Sequence, residues 1–412
     1  MSEEVYTIPI GPLHPALHEP ITLKLQVSGE RIVGVDVFCS QVHRGIEWIG
    51  MNRNNPIQSI YLAERVCGIC NICHPICMVQ AVEKAAEIDV PERAEYIRTI
   101  MAELERIHSH LLWAGVAAHE IGFDTVFHYT WALRENVMDL IEYLTGNRVT
   151  KAIIMIGGVR RDIKEDGARK IREGMKFYLE NFKKIEDIYL HDPTIKMRTR
   201  DVGILTKEDA LKLCAVGPTA RASGVPKDVR QDYPYAAYGD YGVKAITPDI
   251  YNGEVHGDVY DRIIVRLLEV KQSVEIINWA LDNMPQGPLL AEKNLVRLKM
   301  KLKKAEGEGV GRAEAPRGED IHYVRLKANE EPFFSWKIRA PTYNNVLPWI
   351  PMLLGGQIAD VPIVAASTDP CMSCLNRVTV VDMDRKKKFE ITKEYMHELS
   401  VKKTRRLMRN VK

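Results

Sequence analysis

Three short segments near the start of the chain alternate apolar and polar residues. Residues 6–10, 21–27 and 31–38 carry this two-residue period, which predicts strands, and Ser28-Gly29-Glu30 reads as the turn between the last two. The period then changes. Ile97, Ile100, Met101, Leu104, Ile107 and Leu111 recur every three or four positions behind Pro91-Glu92, the pattern of an amphipathic helix with proline in its first turn. Asp124 is placed to cap a second helix that runs through Leu144 and stops at Gly146. Helical spacing returns over about 163–189, 207–215 and 261–284, the last closed by Pro285. Residues 307–318 read as a glycine- and charge-rich loop and 323–337 as strand. Residues 344–355 look like a short helical stretch, and 361–366 form an apolar run leading into Asp369-Pro370. The expected fold is α+β, mainly α: an N-terminal β-rich segment (1–50), an antiparallel helix bundle (51–290), a mixed region (291–377) and a basic tail (378–412) with a helix at about 393–408.

Composition narrows the function classes. A chain of 412 residues, 46% hydrophobic and 27% charged, has material for a large core. The formal net charge of +2 gives no reason to expect nucleic acid as a partner. No apolar run reaches the roughly 18 residues that cross a bilayer, and the N-terminus lacks the layout of a signal peptide. The expected location is therefore the cytoplasmic side, with any membrane attachment supplied by another subunit. Eight cysteines in so long a chain are not a disulfide scaffold.

Four of those cysteines form two pairs at opposite ends: Cys67-Gly-Ile-Cys70 within ERVCGIC, and Cys371-Met-Ser-Cys374 within DPCMSC. If the fold brings them together, four thiolates make a site for a soft metal such as nickel, zinc or an iron–sulfur unit. Cys67, Cys70, Cys73 and Cys77 also follow the bacterial ferredoxin spacing. Met78 stands where ferredoxins have proline, no second copy exists, and residues 58–86 read as helical, which would splay the four thiols. Cys73 and Cys77, one helical turn apart, are better read as packed thiols. Asp369-Pro370 resembles a helix start whose dipole would favour thiolates. Glu64, three residues before Cys67, is near enough to relay a proton to or from it, and Arg65 would hold neighbouring negative charge. Pro75 is expected to kink its helix and aim Cys70 at its partners.

ERVCGIC and DPCMSCLNR resemble the two hallmark motifs of the nickel–iron hydrogenase large subunit. GPLHPALHEP, VHRGIEWIG, ELERIHSHL, GGVRRD and VGPTARASG are similar both to that family and to the quinone-binding large subunit of complex I. The resemblance covers nearly the whole chain and implies a hydrogenase large-subunit fold. It implies that Cys67, Cys70, Cys371 and Cys374 occupy the nickel–iron ligand positions, that Glu64 starts the proton path, and that Arg317 in EAPRGE packs beside the iron's diatomic ligands. The blend resembles the energy-converting, membrane-bound branch of the superfamily. Partners implied are a small subunit carrying a [4Fe–4S] cluster, ferredoxin-fed electron-transfer subunits and a membrane arm that pumps ions.

Within that branch the terminal acceptor is open. Hydrogenases of this type resemble one another in being cut after the residue matching Arg377, and here residues 378–412 follow it. An uncut tail favours a relative that reduces sulfane sulfur or polysulfide with ferredoxin electrons while its old metal cavity stands vacant. The alternatives are a hydrogen-evolving enzyme with a nickel–iron centre, a quinone-reducing complex I-type subunit, and a non-catalytic coupling subunit. His14, His18 and His43 cluster near the N-terminus, and the resemblance makes His14 and His43 candidates for lining the redox cavity. His108 and His110, two residues apart on a helix, face different ways and read as structural. Cys39 and Cys214 read as isolated buried side chains. Arg160, Arg161, Arg221, Arg230 and Arg262 read as surface or inter-helix ion pairs, with lining an interface to the cluster-bearing subunit as the functional alternative. The basic runs 385–388 and 402–409 would face anionic lipid or acidic partners, or only solvent. The loops 14–20 and 217–224 are candidates for transmitting a redox-linked change to the membrane arm.

Overall fold

The computed structural model describes residues 4–15, 17, 19–39, 41–375, 381–382, 387–388 and 393–409. His18 and Arg377 lie outside the described residues. The alternating segments are strands β1 (Val5–Ile10), β2 (Thr22–Ser28) and β3 (Arg31–Phe38), joined in one antiparallel sheet. Leu23, Leu25 and Val27 on the central strand point into the core. Gly29 takes the left-handed conformation (φ 61°) that the tight β2–β3 turn needs.

Helices follow: α1 (Ile46–Asn52), α2 (Pro56–Glu64) and α3 (Cys73–Ala85). Pro75 sits in the first turn of α3, where its missing N–H costs nothing, so it starts the helix and does not kink it. The bundle consists of α4 (Glu92–Glu120), α5 (Asp124–Thr145), α6 (Glu165–His191) and α7 (Val259–Asn283). Helix α4 packs against both α5 and α7, and α6 against α5 and α7. Asp124 opens α5 as its first residue, and Gly146 ends it in the left-handed conformation. One hydrophobic core joins β2, the bundle and the segment up to Leu375.

The stretch expected as a loop is a strand. After α8 (Leu295–Lys304), β4 (Gly307–Ala315), β5 (Gly318–Leu326) and β6 (Ser335–Arg339) make a second antiparallel sheet, and α3 lies across β4 and β5. The glycines are the reason. Gly307, Gly309 and Gly311 alternate on one face of β4, and a Cβ on them would overlap the carbonyl oxygens of Ala85, Ala81 and Cys77. Glycine here is the absence of a side chain that lets a strand lie against a helix backbone. Gly311→Ala must therefore push β4 away from the helix that follows the first cysteine pair. The expected loss is about 3 kcal/mol of stability, read by denaturant unfolding. Wild-type stability in this variant would contradict the close packing.

Helix α9 (Val361–Ser367) carries the chain towards the second cysteine pair, and α10 (Lys393–Arg409) lies in the tail. His397 of α10 stacks on Trp48 of α1 with ring centroids 5.3 Å apart.

The interior between α4 and α7 is charged. Arg221, fully buried, donates to Glu269 Oε1 (2.5 Å) and Glu314 Oε1 (2.7 Å). Arg230 donates to Asp228 Oδ2 (2.7 Å) and Glu103 Oε1 (3.1 Å). Arg262 donates to Ser367 Oγ and to the carbonyls of Gly203 and Gly257. These three arginines are internal ties and not a docking face, because none exposes more than 1% of its surface. Arg160 and Arg161 are exposed. The 217–224 stretch is likewise mostly buried, with Gly217–Arg221 a short helix. His110 accepts this environment only when neutral. Burial outweighs its contact with Glu269 (2.9 Å) and lowers its pKa from 6.5 to about 4. A depressed pKa gives stability that is present above pH 6.5 and lost as pH falls towards 4. The loss on acidification should be smaller in His110→Asn by roughly 3 kcal/mol, measured by urea unfolding at pH 7 and pH 4. Equal losses in both proteins would contradict it.

Candidate metal centre

The two cysteine pairs meet. Cys67 and Cys70 lie in the turn between α2 and α3, and Cys371 and Cys374 flank a 3-10 turn (Met372–Cys374) beyond α9. The Sγ atoms of Cys67, Cys371 and Cys374 all lie within 4.8 Å of one another, with Cys371 3.3 Å from Cys67 and Cys374 3.1 Å from Cys371. Cys70 stands beside this trio, its Sγ 3.1 Å from Arg317 Nη1. All four are buried and none is in a disulfide. Cys73 and Cys77 are packed thiols on α3, each directed at a backbone carbonyl, of Glu314 and Asp320. Cys39 is half-buried, but Cys214 is exposed, a left-handed residue (φ 55°) just past the helix Lys207–Lys212.

Electrostatics set Cys67 apart from the other three sulfurs. Donation from the Cys371 thiol, then from Cys374 and Cys70, and the nearby Arg317 charge hold Cys67 well below the usual thiol range. Ile69 and Cys70 backbone N–H groups add contacts to its sulfur at 3.3 and 3.2 Å. The negative Cys67 and burial in turn push Cys70 up, and Cys374 is raised by its Cys371 and Cys67 contacts. The helix start expected at Asp369-Pro370 is not there. Asp369 is left-handed (φ 53°) and only a 3-10 turn follows, so N–H groups and a guanidinium supply the positive field instead of a helix dipole.

Arg317 is the pivot of the site. It leaves β4 at the hairpin to β5, where Gly318 and Gly217, the first residue of the short helix Gly217–Arg221, touch backbone to backbone and a Cβ on either would overlap the other's backbone. Its Nε donates to Asp369 O (2.8 Å), Nη2 to Asp369 Oδ1 (2.7 Å), and Nη1 to Ser109 Oγ (3.3 Å) as well as to Cys70. One planar fork thus ties the hairpin, α4 and both cysteine segments.

Glu64 is buried and accepts from Ala152 N (2.6 Å) and Arg65 Nη1 (2.9 Å). Burial raises its pKa against both contacts. Glu19, in the GPLHPALHEP motif but not singled out there, accepts from the N–H groups of Met372 and Ser373. Its carboxyl is raised by burial and then by the Cys67 charge. It also lines an open cleft of about 370 Å³ together with Pro12, Leu13, His14, Leu17 and Pro20. His14 and His43 are both exposed, outside the buried sulfur pocket.

Sequence reasoning missed a second polar chain. His74, on α3, has Nε2 3.5 Å from Cys374 Sγ and Nδ1 2.7 Å from Asp320 Oδ2. His322 Nε2 lies 3.1 Å from His74 Nδ1, and Trp336 Nε1 donates to His322 Nδ1 (3.2 Å). His74, Asp320 and His322 could by spacing hold an ion. Indole N–H is only a donor, however, so it leaves the proton of neutral His322 on Nε2, the nitrogen an ion would need. The set therefore works as an orienting chain. Burial opposes charge on both partners, yet Asp320 is held below the ordinary range by the two histidines and His74 is raised by Asp320.

Four buried soft donors, unlinked by disulfides and facing a fixed guanidinium, fit a thiolate-bound nickel–iron centre, with Cys67, Cys70, Cys371 and Cys374 as the residues that would hold it. The fold and this pocket together define a large subunit of the hydrogenase and complex I type. The sequence pattern of "Respiratory-chain NADH dehydrogenase, 49 Kd subunit" matches residues 120–377, and that of "Nickel-dependent hydrogenase" matches residues 44–114. The chain belongs to this family of oxidoreductase subunits. It is 48% identical over 408 residues to the membrane-bound hydrogenase subunit alpha of Pyrococcus furiosus, covering 98% of this chain and 95% of that one. It is 37% identical to formate hydrogenlyase subunit 5 of Escherichia coli, over 96% of this chain and 67% of that one. In the solved structure of the membrane-bound sulfane sulfur reductase, an archaeal respiratory membrane complex, one chain superposes with a TM-score of 0.83 at 29% identity. The match covers 92% of this chain and 100% of that one. Among the described residues no helix is long and apolar enough to cross a membrane.

Proposed function

We propose that this chain is the metal-holding large subunit of a membrane-bound complex that takes electrons from reduced ferredoxin and reduces protons to hydrogen. The observation that carries this reading is the closure of both cysteine pairs on one buried pocket beside Arg317. The 48% identity to a membrane-bound hydrogenase subunit supports it over the sulfane sulfur reading, whose solved relative is 29% identical.

A nickel–iron centre, when bound, supplies the electron-accepting site at which protons combine into hydrogen. Cys67, Cys70, Cys371 and Cys374 would hold it as thiolates. Arg317 keeps a fixed positive charge beside Cys70 and excludes water from that wall. Glu19 bonds the arm that carries Cys371 and Cys374 and also faces the open cleft, so it is placed to pass protons between solvent and sulfur. Glu64 is a second buried carboxyl whose raised pKa suits proton storage behind Cys67. His14 lines the solvent side of that route, and exposed His43 is a further candidate for the redox cavity's rim. Electrons would arrive through a [4Fe–4S] cluster in an adjacent small subunit, itself fed by ferredoxin-linked subunits. Exposed Arg160 and Arg161 are candidates for that contact. A membrane arm of ion-pumping subunits would hold the chain peripherally at the cytoplasmic face.

Reduction of sulfane sulfur is the second reading, favoured by the superposition on the sulfane sulfur reductase. The purified complex supplied with reduced ferredoxin separates the two. Hydrogen evolution without added sulfur is expected. Sulfide from polysulfide with no hydrogen would move the assignment to the second reading.

A further inference from the structure

Nothing covalent joins the two cysteine pairs. Something else must hold the C-terminal arm, residues 370–375, over the first pair. Among the described residues Arg44 donates to backbone carbonyls, and their positions are informative. Its Nη1 donates to Arg65 O (2.6 Å) and its Nη2 to Val66 O (2.7 Å), the two carbonyls immediately before Cys67. The same Nη2 donates to Ser373 O (2.6 Å), the carbonyl immediately before Cys374. Arg44 Nε is itself fixed on Val42 O (3.3 Å). Glu19 accepts the Ser373 N–H (3.2 Å), so both polar groups of this one peptide residue are gripped from the N-terminal segment.

We propose that Arg44 is a positioning residue, a latch that fastens the second cysteine arm to the first and, with Glu19, keeps the four-sulfur pocket closed before any metal is bound. A planar fork with fixed donors can span three carbonyls from two chain segments, and a lysine ammonium cannot reproduce that span. Only the consequence for nickel retention rests on the proposed function. The closure itself does not.

The test uses the assembled complex from nickel-starved cells, treated with N-ethylmaleimide and analysed cysteine by cysteine by peptide mass spectrometry. Arg44→Ala should raise labelling of Cys371 and Cys374 roughly tenfold while Cys73 and Cys77, packed on α3, stay protected. Arg44→Lys should give an intermediate rise. Labelling of Cys371 and Cys374 at the wild-type rate in both variants would overturn the latch. If Arg44→Ala also exposes Cys73 and Cys77, the Lys variant decides: a selective rise at Cys371 and Cys374 supports the latch, and a uniform rise overturns it. In nickel-replete complex, Arg44→Ala should lose at least half of its nickel, roughly the effect of weakening an outer support of a metal site. Selective opening of the arm in a complex that binds no nickel even as wild type would keep the latch and sink the nickel reading.

Discussion

Replacing Cys67 or Cys371 by serine should leave a folded chain that holds no nickel and has lost at least about 100-fold in hydrogen evolution. The expectation follows from where the charge sits. Cys67 is the sulfur held lowest in the pocket, and the Cys371 thiol donates to it at 3.3 Å. Serine matches the size but not the acidity or softness of cysteine, so neither the anion nor the ligand field survives. Cys73→Ser is the internal control. Its thiol is directed at the Glu314 carbonyl at 3.9 Å, and nickel content should be unchanged. Elemental analysis of the three purified variants checks all of this. Full activity in Cys67→Ser and Cys371→Ser would make the pairs vestigial and leave the coupling-subunit reading standing.

Arg317→Lys should separate metal binding from turnover. Nickel should be retained, because all four sulfurs remain, while the rate falls about 100- to 1,000-fold. The lysine keeps the charge but not the fork that reaches Cys70, Ser109 and two atoms of Asp369 together. The carboxyl of Asp369 would then lose its partner in a buried pocket. A rate within threefold or so of wild type would show that charge alone suffices and that the fork is incidental.

Much of this arrangement is written in the chain, and the parts that are not share a cause. The three N-terminal strands and the long helices α4 to α7 follow from periodicity, because each has one buried face and enough length to display it. The cysteine pairs stand out because two distinctive motifs are unusual together. What fails is whatever depends on a partner distant in sequence. Glycines at 307, 309 and 311 suggest a loop until a helix backbone is found lying against them. Asp369-Pro370 suggests a helix start until the arm is seen held by Arg317, Glu19 and Arg44. Glu19, far from the second cysteine pair in sequence, accepts from the arm's N–H groups, a contact no local pattern announces. Arg221, Arg230 and Arg262 read as surface or inter-helix ion pairs before an interface, and only their carboxylate and carbonyl partners place them in the interior. A periodic pattern reports one element's burial and says nothing about which polar groups from elsewhere meet it.

X-ray absorption at the nickel edge of the purified complex tests the central claim most directly. The account predicts nickel in stoichiometric amount, bound by sulfur from four cysteines with iron as a near neighbour. A complex that is active with ferredoxin yet contains no nickel, or whose nickel is bound by nitrogen and oxygen, would contradict it.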